Sequence, residues 1–436
     1  MPLFASLLQT RPDDAAGEPD WLREVRAAAL ADLRGVGLPT PRVESWKYTP
    51  LRALESRRFV CCSDAEASRR AVPEAALALV AADAPRLVFV NGTYRADLTR
   101  LQGLPAGLTL EPLSAALAQA PEAMRFLLAR RFAAAGDVFA RLNTALLREG
   151  TLLRVAPGTR IVPPVHLVCV GTPAEADIAW SLRHLIDLGE DSHLTLVEHY
   201  VGSGAHAHLG NGLAQYRLQA GAVLRIVQAQ EEAVGASLIR RSEFDLDARA
   251  EVMLTALDLG ATLARHDLVA RLSGAGARFS ARGCFALRGR QHADMQIDVG
   301  HRACDSACEL IWRGVADERA RGVLRGAIGI EPGADGAVAH LSTKNLLLSP
   351  HAEIDAQPVL EIHADEVQAS HGATVGQLDE AALFYLRSRG LSAAAARALL
   401  IQAFCREVLD AGVPEALRDA LAARLAHCLP QEARNA

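Results

Sequence analysis

The chain has 436 residues, of which 50% are hydrophobic and 22% charged, and its formal net charge is −5. A chain of this length can bury a large core or fold into two or three domains. The nearly balanced charge argues against nucleic-acid binding, which is typical of chains with a basic excess. No apolar run is long enough to cross a membrane, no basic and apolar leader begins the chain, and eight cysteines do not make a disulphide scaffold at this length. The sequence therefore predicts a cytosolic protein with reduced thiols.

Residues 1–148 are predicted to be a mainly helical region. The spacing of Leu22, Ala29 and Leu33 predicts an amphipathic helix. One clear strand is predicted over residues 86–90, where a β-forming run precedes an Asn-Gly turn.

Residues 149–377 have a different sequence pattern, in which short β-forming runs alternate with Gly, Asp and Asn turns. Leu194, Leu224 and Leu254 lie thirty residues apart, and the same step leads to Cys284. A fixed period of this length is typical of coils stacked into a solenoid, in which each coil buries an apolar stripe on its neighbours. On the residues alone, a β-sandwich with regular strand spacing explains the pattern equally well. The lack of helix-length amphipathic patterns argues against a Rossmann-type or TIM-barrel fold.

Residues 378–436 are predicted to be helical again. Asp379 has the position of a helix cap. Leu399, Leu400 and Phe404 are predicted to share one apolar face of the next helix. Such a face either packs on the solenoid or docks another protein.

The chain lacks several motifs that mark enzymes, namely the phosphate-binding loop, the nucleophile elbow and the H-E-x-x-H zinc pair. The richest group of metal-ligand residues consists of Cys304 and Cys308 with His292 and His301 nearby. A C-x-x-x-C pair can ligate a soft metal or an iron–sulphur cluster. Free cysteine is also among the most buried residue types, so both a metal site and a packed core fit this group.

Six segments carry motifs that are specific enough to compare with known families. They are residues 44–51 (ESWKYTPL), 88–92 (VFVNG), 142–145 (LNTA), 319–323 (RARGV), 344–349 (KNLLLS) and 361–390, which ends in LFYLRSRG. Together they resemble the SufB/SufD family of iron–sulphur cluster assembly proteins over nearly the whole chain. The Trp-Lys-Tyr motif in the first segment favours the SufD side of that family over SufB.

The resemblance implies a mainly β fold, with a right-handed parallel β-helix core over residues 149–377 between α-helical N-terminal and C-terminal regions. It also implies a non-catalytic scaffold subunit of a cytosolic complex. In that complex the β-helix edge would pair with SufB, and the C-terminal helices would dock the SufC ATPase. The residues that this implies as candidates for SufC docking are Phe384, Tyr385, Arg387, Arg389, Leu399, Leu400 and Phe404.

His371 gains its interest from the same resemblance. It lies in the sequence Ala369-Ser370-His371-Gly372, where the family often has Cys-Ser-His-Gly. The resemblance therefore implies His371 as a candidate iron or cluster ligand at the SufB junction. Cys304, from the C-x-x-x-C pair, is a second candidate metal ligand on its residue type and spacing alone. Because Ala369 offers no sulphur, this chain alone is expected to bind no cofactor stably, and a cluster is expected only transiently, in complex with SufB.

Two other functions stay open at this point. One is a polysaccharide-active β-helix enzyme of the secreted type, which would need acidic or basic groups gathered in a groove of the solenoid. The other is a homo-oligomeric interaction protein with no cluster role, and the isolated chain could form a homodimer under either binding hypothesis.

Overall fold

The computed structural model describes residues 2–9, 18–409 and 413–429, and they form a parallel β-helix with helices at both ends. The predicted fold class, mainly β with a solenoid core, is thus confirmed. Parts of the predicted terminal regions, residues 1, 10–17, 410–412 and 430–436, lie outside the described residues.

The N-terminal part consists of short helices and three strands that pack on the first coils. The predicted amphipathic helix is α2, and it buries Leu22, Ala29 and Leu33 as the spacing requires. The elements of this part are α1 (Pro2–Gln9), α2 (Asp20–Val36), α3 (Arg52–Glu55), α4 (Asp64–Ser68), α5 (Glu74–Leu77), β1 (Arg86–Val90), β2 (Thr93–Tyr94), β3 (Leu108–Pro112), α6 (Leu113–Gln119), α7 (Pro121–Leu128) and α8 (Val138–Leu146).

The β-helix is built from coils that each contribute one strand to each of two sheets. Odd-numbered strands from β5 to β19 form one sheet and even-numbered strands from β4 to β18 the other, and neighbours along each sheet are parallel. The strands are β4 (Glu149–Val155), β5 (Val165–Gly171), β6 (Ala179–Leu188), β7 (His193–Gly202), β8 (Leu209–Leu218), β9 (Val223–Glu231), β10 (Ser237–Leu246), β11 (Glu251–Asp258), β12 (Leu263–Leu272), β13 (Arg278–Leu287), β14 (His292–His301), β15 (Ala307–Ala316), β16 (Arg321–Ile330), β17 (Val338–Leu347), β18 (Glu353–Ile362) and β19 (Gln368–Gly376).

The inner core is the stack of inward-facing residues, and its register corrects the predicted period. Leu194 pairs with Leu224, thirty residues on, as predicted. Leu224, however, pairs with Val252 and not with Leu254, because the coil from β9 to β11 is two residues shorter than the coil from β7 to β9. Leu254 then pairs with Ala281, so the next step is twenty-seven residues.

Cys284 therefore does not lie on the predicted stripe. A change of register by an odd number of residues turns every side chain of a strand to the other face. Cys284 pairs with Leu257, and both lie in the outer cluster that faces the C-terminal helices. The next residue, Phe285, takes the inward position.

The segment over residues 44–51 forms a strap across the outer face of the even-numbered sheet. Trp46 is buried, stacks on Phe139 at 5.5 Å and lies 3.8 Å from the Arg265 guanidinium. Its indole N–H donates to the Gly136 carbonyl oxygen. At the other end of the strap, the Gln357 amide of β18 donates to the Tyr48 hydroxyl at 3.1 Å. The strap thus connects the middle of the sheet to its last strand.

The C-terminal part is the helix set α9 (Glu380–Ser388), α10 (Ala393–Leu409) and α11 (Glu415–Cys428). Asp379 caps α9 as predicted, because its carboxylate accepts the Ala381 N–H. No helix among the described residues is long and apolar enough to cross a lipid bilayer.

Candidate functional site

The two ends of the β-helix differ in how they are covered. At the N-terminal end, β2 pairs antiparallel with β1, and β3 pairs antiparallel with β4. Tyr94, Leu101 and Leu104 of this region pack against the inner core. At the C-terminal end, β18 and β19 are the last strands of their sheets, each bonded on one side only. We call the uncovered face formed by β18 and β19 the open end.

Apolar side chains of the last coil are exposed at the open end. The side chains that face inward in β18 and β19 occupy positions that would be core if another coil followed. Ile362 is 44% exposed and Val375 is 45% exposed. Other small and apolar members of this inward row are Ala356, Pro358, Leu360, Ala369 and Ala373. The last coil thus presents a core-like surface without a covering layer.

The backbone of β19 adds hydrogen-bonding groups to this surface. The Gln368 N–H donates to the Ala337 carbonyl oxygen and so points at the preceding coil. The direction of the backbone groups alternates along a strand, so those of His371, Ala373 and Val375 point away from β17. A strand laid along β19 could therefore pair with it.

Strand β18 presents a weaker edge because Pro358 interrupts it. The His363 N–H donates back to the Ile330 carbonyl oxygen. Because backbone direction alternates along the strand, the backbone groups of Pro358 belong to the set that points away from β16. Proline has no N–H, and edge positions are where sheets tolerate it. Pairing along the open end is thus favoured on β19 over β18.

His371 lies in the inward row of β19, at the open end. It pairs with Leu341, an inner-core residue, yet its own side chain is exposed because no coil lies beyond it. Its neighbour Ser370 faces outward, where its hydroxyl lies 2.8 Å from Nδ1 of His340. A neutral imidazole can bind iron, but one ring is not a complete site. Among the described residues, no group of three or more His, Cys, Asp or Glu side chains has a metal-binding arrangement.

The four residues of the predicted cysteine–histidine group are distributed over different surroundings. Cys304 is exposed in the turn before β15. His301 and Cys308 are buried, with Nε2 of His301 3.2 Å from the Cys308 sulphur. Nδ1 of His301 lies 2.8 Å from the Ser306 hydroxyl. His292 contacts the Thr49 hydroxyl at 3.1 Å instead.

Burial sets the protonation of the His301–Cys308 pair. Desolvation lowers the pKa of His301 to about 4 and raises the pKa of Cys308 to about 12. Both groups are consequently neutral at pH 7, where a thiolate ligand would have to be charged. The pair therefore has the character of packed core.

The C-terminal helices bury only part of the predicted apolar face. Residues of α10 and α11 pack against the outer face of the odd-numbered sheet, and the buried members on the helices are Ile401, Cys405, Val408, Leu409, Leu417, Leu421 and Leu425. Leu399 is 46% exposed, whereas Leu400 and Phe404 are partly buried. The predicted common face of Leu399, Leu400 and Phe404 is thus split by the actual rotation of the helix.

Ion pairs add to the apolar contact between these helices and the β-helix. The buried Arg313 guanidinium binds the Glu407 carboxylate at 2.7 Å and lies over the Phe404 ring. On α11, Arg424 binds Glu231 of β9 at 2.5 Å. The helices are therefore held firmly, and their outward side is available.

The outward side of α9 is strongly apolar. Phe384 is 74% exposed and Tyr385 is 56% exposed, although both are large aromatic side chains. The guanidinium of Arg389 stacks over the Tyr385 ring and donates to its hydroxyl at 3.2 Å. We call the exposed Phe384, Tyr385 and Arg389 of α9, together with the exposed Leu399 of α10, the helical patch, and aromatic and arginine residues of this kind are enriched in protein interfaces.

Sequence reasoning did not identify the exposed residues of the open end. In the sequence, Ile362 and Val375 each follow a polar residue, as many inward residues of earlier coils do. Only the position of the last coil exposes them, and the one sequence signal for it is the change to a helical pattern after Gly376.

Two family models match the chain and together span most of it. The model for the SufBD core domain of SUF-system FeS cluster assembly matches residues 172–404, and the model for the SufBD N-terminal region matches residues 9–167. The chain therefore belongs to the SufBD family of iron–sulphur cluster assembly proteins.

Within that family the chain is similar to SufD. It is 29% identical to the iron–sulphur cluster assembly protein SufD of Escherichia coli, over 93% of this chain and 92% of that protein. It is 24% identical to SufD of Bacillus subtilis, over 90% of both chains. A SufBD family protein of Synechocystis is 28% identical over 91% of this chain and 88% of its own length.

The buried His301 makes a testable contribution to acid sensitivity. Its pKa of about 4 in the fold lies below the ordinary value of 6.5, so the unfolded chain binds the proton first as the pH falls. The free energy of unfolding should therefore decrease between pH 6.5 and pH 4, and His301 should account for about 1–3 kcal/mol of that decrease. Denaturant unfolding of His301→Gln across this range should show a shallower pH dependence than the unsubstituted chain.

The exposed His363 provides the control. His363→Gln should leave the slope unchanged, since the substitution alters an exposed surface side chain. Equal slopes for His301→Gln and the unsubstituted chain would contradict the assignment.

Proposed function

We propose that this chain is a non-catalytic scaffold subunit of a cytosolic iron–sulphur cluster assembly complex. It pairs with SufB through the open end and carries the SufC ATPase on its C-terminal helices. The observation that carries the proposal is the last coil, which exposes core-like apolar residues and the backbone of β19 without a covering layer.

A β-helical partner fits the open end better than a small ligand does. Repeat proteins need a polar cap at each end to stay soluble, and here the described residues provide such a cap at the N-terminal end only. The row from Ile354 to Ile362 and the row from Ala369 to Val375 extend along two sheets, as the end coil of another solenoid would. Exposed sheet edges recruit strands by main-chain pairing.

SufC is the partner proposed for the helical patch. The inner faces of α10 and α11 are occupied by the β-helix, which leaves the patch of Phe384, Tyr385 and Leu399 for another protein. Arg387 and Arg389 are exposed beside Phe384 and Tyr385 in the sequence, and Leu400 and Phe404 are partly buried on α10. The relatives are named as assembly proteins, which favours a scaffold role over catalysis.

We further propose that a nascent cluster contacts this chain only through His371, and only transiently. The inward row of β19 would face SufB, so a cluster at the junction would lie within reach of this ring. Ala369 provides no thiolate beside it, so the partner would supply the sulphur ligands. Cys304 is exposed, but it lies in the turn before β15, whereas His371 lies in β19. Cys304 is therefore a weaker candidate ligand for a cluster at the junction.

The proposed compartment agrees with the state of the thiols. The cysteines of the chain are free, and several of them are buried as neutral packing groups. Unpaired cysteines in this number are typical of proteins in the reducing cytosol.

A carboxylate at the open end should prevent pairing with SufB. Val375→Asp places a charge where the interface would have to exclude water, so we expect the dissociation constant for SufB to rise by about tenfold or more. The isolated protein should stay folded because the position is exposed. Affinity measured by calorimetry on the purified proteins tests this.

Val234→Asp is the matched control, since Val234 is also exposed but lies in a turn before β10. It should bind SufB as the unsubstituted chain does. Equal binding by Val375→Asp would remove the open end from the interface.

His371→Ala should separate assembly from cluster formation. The substitution removes a ligand without changing the apolar row, so the complex with SufB and SufC should form normally and hold less iron and labile sulphide after reconstitution. His340→Ala, which alters the outward-facing ring of the neighbouring strand, is the control. An unchanged cluster content for His371→Ala would exclude this ring as a ligand.

Phe384→Ala should weaken SufC binding without affecting the fold. Loss of an exposed aromatic anchor typically costs about 1–3 kcal/mol at an interface, so the dissociation constant should rise about tenfold. Phe126→Ala, at an even more exposed phenylalanine on α7, should leave SufC binding unchanged. If both variants bind SufC equally well, SufC docks elsewhere.

A further inference from the structure

Helix α8 lies wholly inside the protein, and it carries a guanidinium there. All nine residues from Val138 to Leu146 are buried, and Arg141 among them is only 5% exposed. Its Nη2 donates to the Ala134 carbonyl oxygen at 2.8 Å, but its Nε is buried and has no partner among the described residues. A buried charge is costly unless hydrogen bonds and an opposite charge compensate it, so this arginine requires an explanation.

A second buried guanidinium is bonded to the same helix. Arg183 of β6 is 0% exposed and binds α8 through neutral groups only. Its Nε donates to Oδ1 of Asn143 at 3.0 Å, and its Nη2 donates to the Thr144 hydroxyl at 2.8 Å. Its Nη1 is buried without a partner in the part of the chain that the structure describes. Burial lowers the pKa of Arg183 to about 10, so this side chain still carries its charge at pH 7.

The buried carboxylates of this region are bound to other arginines. The Glu243 carboxylate binds Arg130 at 2.5 Å and Arg241 at 2.7 Å. Asp137, just before α8, binds Arg241 as well, at 3.0 Å. Within the described ranges, no carboxylate forms an ion pair with the buried guanidinium of α8 or with that of β6. The surroundings of α8 thus contain more buried positive than negative charge.

A cavity of about 140 Å³ lies beside Arg141, between α2, α8 and the segment that follows α7. Arg130, Arg131 and Thr144 line it together with Arg141. One water molecule needs roughly 10–15 Å³ of such space, so an ion of several atoms has room here. The cavity therefore offers an unpaired buried guanidinium and enough space for a counter-ion.

The wall that α2 contributes carries two carboxylates, Glu24 and Asp32. Both side chains are exposed, so water and salt screen their charges. The Arg141 charge is buried and is screened much less. The electrostatic balance inside the cavity consequently favours an anion.

We propose that this cavity binds a tetrahedral oxyanion on the Arg141 guanidinium, either free phosphate or the phosphoryl group of a small metabolite. The planar guanidinium suits such an ion, because its N–H groups can bind two phosphate oxygens at once. Arg130 and Arg131 add positive charge on the same side of the cavity. The bound anion supplies the opposite charge that the buried arginines of α8 and β6 lack, and it connects α2 to α8. This site is independent of the proposed scaffold role.

Calorimetric titration of the full-length protein with inorganic phosphate, at constant ionic strength in a chloride buffer, measures this binding. Arg141→Gln removes the charge and keeps a donor for the Ala134 carbonyl oxygen, so the dissociation constant for phosphate should rise at least tenfold. Arg34→Gln makes the same change of charge at an exposed position of α2 and should leave binding unchanged. Absence of phosphate binding by the unsubstituted chain, or equal binding by Arg141→Gln, would overturn the inference.

A second variant keeps the test valid if Arg141→Gln fails to fold. Glu24→Gln changes an exposed side chain and removes a negative charge from the wall of the cavity. The dissociation constant for phosphate should therefore fall about twofold or more. An unchanged or higher dissociation constant for Glu24→Gln would count against an anion in this cavity.

Glycerol 3-phosphate distinguishes the two sources of the anion. Tighter binding of this ester than of inorganic phosphate assigns the site to a phosphoryl group carried by a metabolite, and weaker binding assigns it to the free ion. In both cases Arg141→Gln should weaken the binding of the preferred ligand, and an undiminished affinity would refute the site.

Discussion

Every coil of the β-helix depends on contact with the coil before and the coil after it. In the coils between the two ends, the inward row of each strand is buried by the equivalent rows of its neighbours, and the backbone of each strand is bonded on both sides. A single coil has too little apolar surface to be stable by itself. This mutual dependence makes the middle of the molecule rigid and leaves the terminal coil with bonding capacity that the described chain does not satisfy.

The period in the sequence left a solenoid and a β-sandwich equally open. The family resemblance favoured the solenoid, and neither predicted its register. Leu194 and Leu224 are indeed stacked, because the turns between them have a regular length. The coils before and after β11 have shorter turns and strands, and this changes the pairing register. Because the change is an odd number of residues, Cys284 lies on the outer face. Nothing in the composition of those turns reveals how many residues they need, since the length of a turn is set by how the next strand packs.

The sequence likewise predicted some features of the candidate sites and not others. The motif around His371 indicated an element boundary, and the structure places this residue in the last coil. The rotation of α10 was not predictable, because Leu399, Leu400, Ile401 and Cys405 leave several apolar faces available and the β-helix selects one of them.

The covered N-terminal end of the β-helix affects how this chain can stack into larger assemblies. A solenoid with two unsealed faces could add subunits without limit and form a fibre, as head-to-tail contacts do when they fail to close. Here residues of the N-terminal part, among them Tyr94, Leu101 and Leu104, pack over one end of the inner core, so among the described residues it is the open end that could accept another layer. A chain built in this way can add a layer at one end, whereas a solenoid open at both ends could be extended repeatedly.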